Sequence, residues 1–318
     1  MSQKHAPRRD ISWKSWVAIL KLRNGIFMAL AEFIYTEVLK PRPLRKLTNA
    51  ILLKIIPGKV KVEPATLYLN PNDPVLSGAL TLRVYEKSEI AFFKEYCRDD
   101  MVFADIGGNI GLYSALALHT LSSEGRIITL EPHPESFALL SKNTEVNQQE
   151  RGIEDAPKIE LFQMAASSQS GTRSLALNPE NKADNRLSDA PEEWESIPIE
   201  AKSMDALLIE QDIEEVNFVK MDVQGYEHRI ISGFMDTLRH SKKTIIMTEF
   251  WPEGIESTGG NARNYLQDLH ELGFTLYELK EKPLGHIEPL EDWDTLIARL
   301  HGRKYTNLIA VKGYKISA

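Results

Sequence analysis

The sequence lacks a second cysteine, a long apolar run and a metal-binding pattern, and each absence excludes a class of protein. With Cys97 alone no disulfide can form within the chain, and nothing in the sequence requires an oxidising compartment. No stretch of about 18 uncharged apolar residues occurs, so no membrane-spanning helix is predicted. The eight histidines are scattered without the spacing of metal ligands, which argues against a zinc site. Because 42% of the 318 residues are hydrophobic and 26% are charged, we expect a globular protein.

Charge is divided unevenly along the chain. Residues 1–61 contain 13 Lys or Arg against 3 Asp or Glu, whereas the remainder contains 25 against 42. Residues 13–56 have the spacing of two basic amphipathic helices, broken by prolines. Such helices either lie on an anionic membrane surface or pack on the acidic remainder, and we prefer the packing because amphipathicity alone is common. The acidic main part and the absence of a basic groove pattern predict no nucleic-acid partner.

The first residues lack the apolar core and the cleavage site of a secretory signal. We therefore expect a cytoplasmic protein, with association with the inner face of a membrane as the alternative that residues 13–56 leave open.

The most informative stretch is Val-Phe-Ala-Asp-Ile-Gly-Gly-Asn-Ile-Gly-Leu at residues 102–112. Its apolar first part predicts a strand buried on both faces, and an apolar helical pattern follows the glycines. In a glycine loop the backbone can approach a ligand closely, because no Cβ intervenes. Glu131 ends the next apolar run, where a carboxylate can accept hydrogen bonds from both hydroxyls of a ribose. The pattern predicts a nucleoside-cofactor site, with an ordinary βα turn as the structural alternative.

The glycine loop differs from the loop that binds a dinucleotide. That fingerprint is Gly-x-Gly-x-x-Gly, and Asn109 stands where its second glycine would let a pyrophosphate approach the backbone. Asp105 would repel a pyrophosphate but attract a ligand with an amino group. S-adenosylmethionine has a sulfonium, an α-amine and a ribose, so we expect it as the cofactor and regard an NAD-dependent oxidoreductase as less favoured. The predicted cofactor contacts are Asp105, Gly107, Asn109, Gly111, Glu131, Ala165 and Asp222.

Three blocks of the sequence resemble the FkbM-family methyltransferases. They are Asp-Ile-Gly-Gly-Asn-Ile-Gly-Leu-Tyr-Ser at 105–114, Glu-Pro-His-Pro-Glu at 131–135 and Val-Lys-Met-Asp-Val-Gln-Gly-Tyr-Glu at 219–227. Three blocks in the right order are more specific than a single motif. The resemblance implies an α/β fold with the Rossmann-like class I methyltransferase sheet, which is mostly parallel, has seven strands with an antiparallel last strand, and carries helices on both faces.

Three segments are predicted along the chain. Residues 1–57 form a basic amphipathic helical N-terminal extension, residues 58–100 form lead-in strands and a helix, and residues 101–318 form the cofactor-binding domain. Within the lead-in segment, 59–69 and 78–85 have strand patterns. An insertion at about 170–203 interrupts the alternation of strands and helices with two strand patterns around a polar loop. Such insertions commonly carry substrate-specific structure.

Asp222 and Glu227 are the predicted catalytic residues. Residues 216–221 read as a buried strand, whose carboxyl end would bring Asp222 beside the glycine loop, facing both cofactor and acceptor. A helix, 229–238, is predicted to follow. The structural alternatives are that Asp222 caps this helix and that Glu227 forms an ion pair. The family pattern implied by the resemblance is Asp-Val-Glu-Gly-x-Glu, and this chain has Gln224 at the first glutamate, which puts only a role for residue 224 in doubt.

Further residues are expected around the acceptor. A strand at 243–248 precedes Glu249 and Trp251, which would help to bind a hydroxylated or sugar-like acceptor, although Trp251 equally suits the core. Asn185 and Arg186, in the polar loop of the insertion, are predicted acceptor contacts, with a solvated loop as the alternative. The resemblance also implies an acidic residue that shapes the substrate mouth, and Glu86 or Glu89 could fill that position. Ala165 is small enough to suit a flat adenine, but packing alone would also explain it.

Methyl transfer from a sulfonium is an in-line displacement, which needs the donor and the nucleophile close together and a group that takes the hydroxyl proton. We therefore expect S-adenosylmethionine-dependent O-methylation of a glycan, lipid-linked or natural-product acceptor, with no metal required. The alternative of a different class is a membrane-associated interaction protein that keeps a non-catalytic nucleotide-binding fold. Intact Asp105, Glu131 and Asp222 argue against such decay.

Overall fold

The computed structural model describes residues 54, 56–73, 75–178, 185–187 and 194–316. The predicted amphipathic helices at 13–56 therefore lie almost entirely outside the described residues. Within the described ranges, no helix combines the length and the apolar character that a bilayer crossing requires.

The lead-in segment forms an antiparallel hairpin followed by two helices. In chain order these elements are β1 (Lys59–Val62), β2 (Ala65–Tyr68), α1 (Leu76–Thr81) and α2 (Lys87–Tyr96). The strand predicted over 78–85 is wrong, because α1 occupies its first part. Leu76, Ala79 and Leu80 are buried at the i, i+3, i+4 spacing of a helix, and that spacing overrides the local strand pattern.

Two asparagines fix the hairpin to the main domain. The side-chain oxygen of Asn143 accepts a hydrogen bond from the backbone N–H of Tyr68 at 2.6 Å, and its side-chain NH₂ donates one to the Tyr68 carbonyl at 3.1 Å. Asn147 makes the same pair with Thr66, at 3.0 and 2.7 Å. The helix that carries both asparagines thus satisfies backbone hydrogen-bonding groups at the outer edge of β2, as a neighbouring strand would. The lead-in segment is thereby held as a wall beside the sheet.

The main domain alternates strands and helices. Its first part comprises β3 (Val102–Ile106), α3 (Leu112–Thr120), β4 (Arg126–Leu130), α4 (Pro134–Arg151) and β5 (Lys158–Phe162). The insertion comprises β6 (Ala165–Ala166), β7 (Gly171–Ala176), β8 (Arg186–Leu187) and β9 (Ser196–Lys202). The last part comprises α5 (Met204–Glu210), β10 (Phe218–Met221), α6 (Glu227–Ser232), α7 (Met235–His240), β11 (Thr244–Phe250), α8 (Pro252–Ser257), α9 (Ala262–Glu271), β12 (Thr275–Leu279), β13 (Ile287–Pro289), α10 (Trp293–Arg299) and β14 (Thr306–Lys312). The single helix predicted over 229–238 is two short helices.

Eight strands of the described chain form the main sheet, in the order β13-β12-β14-β11-β10-β3-β4-β5. β5, β4, β3, β10 and β11 are parallel, and β14 runs antiparallel between β11 and β12. The predicted mostly parallel α/β sheet with an antiparallel last strand is confirmed. β13 adds an eighth strand to the predicted seven, and at three residues it is too short to leave a hydrophobic pattern.

The sheet separates two hydrophobic cores. Phe218 packs with α2 and α3 on one face, whereas the next residue on β10, Val219, belongs to the core on the other face. Successive strand residues point to opposite faces, so β10 supplies both cores alternately. The insertion forms a separate small sheet in the order β6-β9-β7-β8. β7 and β9 correspond to its two predicted strands, and they pair antiparallel.

Candidate functional site

A cavity of about 720 Å³ opens at the carboxyl ends of the central strands. The lead-in segment, the insertion and the β12–β13 region complete its walls. Most residues predicted for the site line it, namely Asp105, Gly107, Asn109, Glu131, Ala165, Asn185, Arg186, Asp222, Glu249 and Trp251, together with both candidates for the mouth, Glu86 and Glu89. Gly111 and Glu227 are not among the lining residues.

Strand register explains why distant parts of the sequence meet here. Met221, the last residue of β10, pairs with Ile106 at the end of β3 and with Thr248 on β11. The residues that follow this pair, Asp222 directly after β10 and Glu249 on β11, both line the cavity. Parallel strands end at one edge of the sheet, so each contributes its first loop residues to a common site.

Glu131 organises the glycine loop from the neighbouring strand. Its two carboxylate oxygens accept hydrogen bonds from the backbone N–H groups of Asn109 and His133, each at 2.8 Å. Burial raises the pKa of Glu131 from 4.5 to about 7, although these two bonds oppose the shift. Because the Asn109 N–H is directed to a carboxylate, it does not offer the anion-binding donor that a pyrophosphate requires.

Gly107 lies where two strand ends approach most closely. Its φ is +82°, and a Cβ at this position would lie 2.3 Å from the carbonyl oxygen of Asp222. Only glycine combines this conformation with this contact. The glycine therefore keeps the first loop of β3 against the residues that follow β10.

Asp105 serves the local structure as well as the cavity. It is 2% exposed, and one of its oxygens accepts hydrogen bonds from the backbone N–H of Ser114 at 3.1 Å and from its hydroxyl at 2.6 Å. Burial raises the pKa of Asp105 to about 6, against the effect of the Ser114 bonds and of Lys220. The other carboxylate oxygen makes no hydrogen bond with a described residue, so it remains able to accept one from a ligand.

Gly111, which the sequence assigned to the cofactor, has a packing position in the structure. It precedes α3 with a φ of +84°, and a Cβ here would lie 2.7 Å from the side chain of Leu140 on α4. Its lack of a side chain lets α3 and α4 approach each other. Gly111 thereby shapes the loop from outside the cavity lining.

Asp222 projects from the end of β10 with its side chain 28% exposed. Its carboxylate accepts a hydrogen bond from the side-chain amide of Gln224 at 2.8 Å and lies 3.8 Å from the ammonium of Lys220. It does not cap the next helix, since α6 begins at Glu227 and its N-cap, Tyr226, makes no side-chain capping bond. The side-chain amide of Gln224 thus orients the Asp222 carboxylate.

The structure does not bring Glu227 to the cavity. Its side chain is fully buried, and one carboxylate oxygen accepts a hydrogen bond from the backbone N–H of Val223 at 3.2 Å. The other oxygen is buried without a hydrogen-bond partner among the described residues. This glutamate closes the turn between β10 and α6 from behind, and therefore supports the loop that carries Asp222.

Glu227→Gln is expected to change the pH dependence of stability. Burial raises the pKa of Glu227 from 4.5 to about 7. Between these values the folded protein binds more protons than the unfolded chain, so the free energy of unfolding falls as the pH rises from about 4.5 to about 7, by up to ~3 kcal/mol from this group. The free energy of unfolding is measured with urea at pH 5 and at pH 8. Its decrease between the two pH values should be smaller in the variant than in the wild type. The exposed Glu256→Gln is the control, and an unchanged decrease in Glu227→Gln would contradict the assignment.

The acceptor side of the cavity contains the residues predicted for it. Burial, followed by the charges of Asp222 and Glu227, raises the pKa of Glu249 well above its usual value. Trp251 is largely buried against Gly254 and donates a hydrogen bond from its indole N–H to the backbone. The guanidinium of Arg186 lies 4.8 Å from the centre of the Trp251 ring. The insertion therefore reaches the segment that directly follows β11 across the cavity.

Sequence reasoning missed several residues of this side. Tyr113 on α3 donates a hydrogen bond to the Glu86 carboxylate at 2.6 Å, and Asn307 on β14 donates one to Glu89. Lys220 is a buried cation that also lines the cavity. The signal for Lys220 was available, since a charged residue interrupts the apolar run of β10. In the described part of the chain, no group of three or more His, Cys, Asp or Glu side chains is placed to hold a metal ion.

Comparison with known proteins identifies related sequences. Residues 105–276, more than half of the chain, match the family model of the methyltransferase FkbM domain. Hexuronic acid methyltransferase AglP of Haloferax volcanii is 26% identical over 162 residues, which cover 51% of this chain and 61% of that protein. Methyltransferase sdnD of Sordaria araneosa is 25% identical over 230 residues, which cover 58% of this chain and 85% of that protein.

A solved structure of an O-methyltransferase from Bacillus cereus in complex with SAH aligns with 91% of this chain and 99% of its own, with 14% identity and a TM-score of 0.38. The match to AglP, at 61% of that protein, spans less than two thirds of its length.

Proposed function

The chain belongs to the FkbM methyltransferase family, and on that premise we propose that it transfers the methyl group of S-adenosylmethionine to a hydroxyl of a glycan, lipid-linked or other small-molecule acceptor. The observation that carries this proposal is the single cavity in which the glycine loop and Glu131 meet Asp222 and Glu249. One half has the groups for a nucleoside cofactor, and the other half has carboxylates for a hydroxylated acceptor.

The residues present fit the proposed cofactor. The Glu131 carboxylate is held by two backbone N–H groups and keeps lone pairs that can accept from ribose hydroxyls. Ala165 and Ala166 are buried small residues beside the same half, which leaves room for a flat base. The cavity volume lies within the range of sites that enclose a ligand of this size. When bound, the cofactor supplies an electrophilic methyl group on a sulfonium.

In this proposal Asp222 takes the proton of the acceptor hydroxyl. It stands at the centre of the sheet edge, between the loop of β3 and Glu249 of β11, and Gln224 fixes its orientation. Burial raises the pKa of Glu249, and in its protonated form this side chain can donate a hydrogen bond to a second oxygen of the acceptor. Residues of the lead-in segment and of the insertion line this cavity, and the displacement requires the nucleophile in line with the methyl group.

The acceptor half supports a sugar-like substrate. Its carboxylates can accept hydrogen bonds from several hydroxyls, and Trp251 with Arg186 above it offers an amphipathic wall. The relative AglP is named for a sugar acid. A glycan, free or linked to a lipid, is therefore the class of acceptor that we propose first.

Calorimetric titration with S-adenosylhomocysteine tests the proposal. We expect a dissociation constant on the order of micromolar, and no comparable binding of NAD, because the Asn109 N–H is already bonded to Glu131. Asp105→Asn, which keeps the side-chain shape, should weaken binding by removing the negative charge near the α-amine. Failure of the folded wild-type protein to bind S-adenosylhomocysteine, or equal binding of NAD, would overturn the proposal.

A further inference from the structure

Lys220 is a buried cation whose hydrogen-bonding capacity faces the cavity. Its side chain is 5% exposed and lines the cavity from β10. The ammonium lies 3.8 Å from an Asp222 oxygen and 5.4 Å from the centre of the Tyr113 ring. Among the residues that the structure describes, none accepts a hydrogen bond from this ammonium. An ammonium has three N–H donors, and its position in the cavity wall allows a bound ligand to supply an acceptor for them.

The surroundings keep Lys220 charged. Burial lowers its pKa, but the carboxylates of Asp222, Glu86, Glu89 and Asp105 outweigh burial and raise the pKa above its usual value. These acids do not hydrogen-bond the ammonium in the described structure, although they balance its charge. The ammonium is therefore a charged donor in the cavity wall, which can form a charge-assisted hydrogen bond with an anionic oxygen of a ligand.

Strand register places this cation beside the acid expected to bind an amine. Lys220 pairs with Asp105 across β10 and β3, and neighbouring parallel strands lie about 4.8 Å apart. Paired residues of parallel strands point to the same face, and both of these line the cavity. One carboxylate and one ammonium therefore stand side by side at the wall of one cavity.

We propose that Lys220 binds the α-carboxylate of the methionine part of the cofactor while Asp105 lies beside its α-ammonium. These two ligand groups are carried by one carbon atom, so they need neighbouring partners of opposite charge. The Asp105–Lys220 pair supplies such partners at the spacing of adjacent strands. This inference rests on the proposed function and assigns Lys220 to cofactor binding.

The test compares two ligands that differ only in this carboxylate. S-adenosylhomocysteine and its decarboxylated form, S-adenosyl-3-thiopropylamine, are titrated calorimetrically into the wild type, Lys220→Met and Lys220→Arg. The wild type should prefer S-adenosylhomocysteine by at least ~10-fold, the methionine variant should bind both ligands equally, and the arginine variant should keep part of the preference. Lys282→Met, an exposed lysine of the same cavity lining, should keep the full preference.

The outcomes separate this inference from the proposed function. Equal binding of the two ligands by the wild type, or a preference that Lys220→Met retains, would overturn the role of Lys220 while leaving cofactor binding intact. If the wild type binds neither ligand, the proposed function itself fails and the inference with it. Thermal unfolding of each variant shows whether it folds, and if Lys220→Met does not, the wild-type preference and its reduction in Lys220→Arg decide the question.

Discussion

Asp222→Asn is expected to lower methyl transfer by ~10³-fold while the affinity for S-adenosylhomocysteine stays within about threefold of the wild type. Asparagine keeps the shape of the side chain and can still pair with Gln224, but it cannot take a proton from the acceptor hydroxyl. The rate of methyl transfer is measured from methyl-labelled S-adenosylmethionine into a glycan or lipid extract in which the wild type forms a labelled product. Calorimetry of the same preparations gives the affinity.

Gln224→Ala is the matched comparison for this experiment. It removes the 2.8 Å hydrogen bond to Asp222 but leaves the carboxylate in place. Because only orientation is lost, turnover should fall by about tenfold or less. Equal losses of turnover and of cofactor affinity in Asp222→Asn would show instead that Asp222 is a binding residue.

Glu131→Gln is expected to weaken the binding of S-adenosylhomocysteine by ~10- to 100-fold. A glutamine offers one acceptor oxygen, whereas both oxygens of Glu131 accept from backbone N–H groups. Its NH₂ group would therefore face a backbone donor, the loop at Asn109 would move, and a partner for the ribose would be lost. Calorimetric titration at fixed pH measures the change.

A second ligand and a second variant make this result specific. Methylthioadenosine keeps the ribose but lacks the amino-acid part, so its affinity should fall by the same factor in Glu131→Gln. Glu124→Gln, an exposed glutamate just before β4, should bind both ligands as the wild type does. A loss confined to S-adenosylhomocysteine would place Glu131 near the amino-acid part and contradict the ribose assignment.

Three differences between the sequence predictions and the structure share one cause. The lead-in stretch 78–85 has a strand pattern, but α1 forms because the wall that it joins buries one helical face. Glu227 lies five residues after Asp222, yet its side chain is buried behind the loop, where it accepts a hydrogen bond from the backbone of Val223. Gly111 is part of the glycine loop in the sequence, but in the structure it lies at the contact between α3 and α4. In each case the partner that decided the outcome is distant in sequence, so a local pattern could not contain it.

The sequence by itself determined the parts of this protein that depend on contiguous residues. Strand, glycine loop and helix at 102–120 and the acid at the end of the next strand follow from short-range apolar patterns and from backbone conformations that glycine adopts most readily. The mostly parallel sheet was implied by the resemblance of three contiguous motifs to one family.

Tertiary structure alone decided which charges meet. Register set Lys220 beside Asp105, and the folded insertion carried Arg186 to Trp251 across the cavity. The physical reason is that burial and charge pairing depend on distances in space, which the order of residues along the chain does not specify.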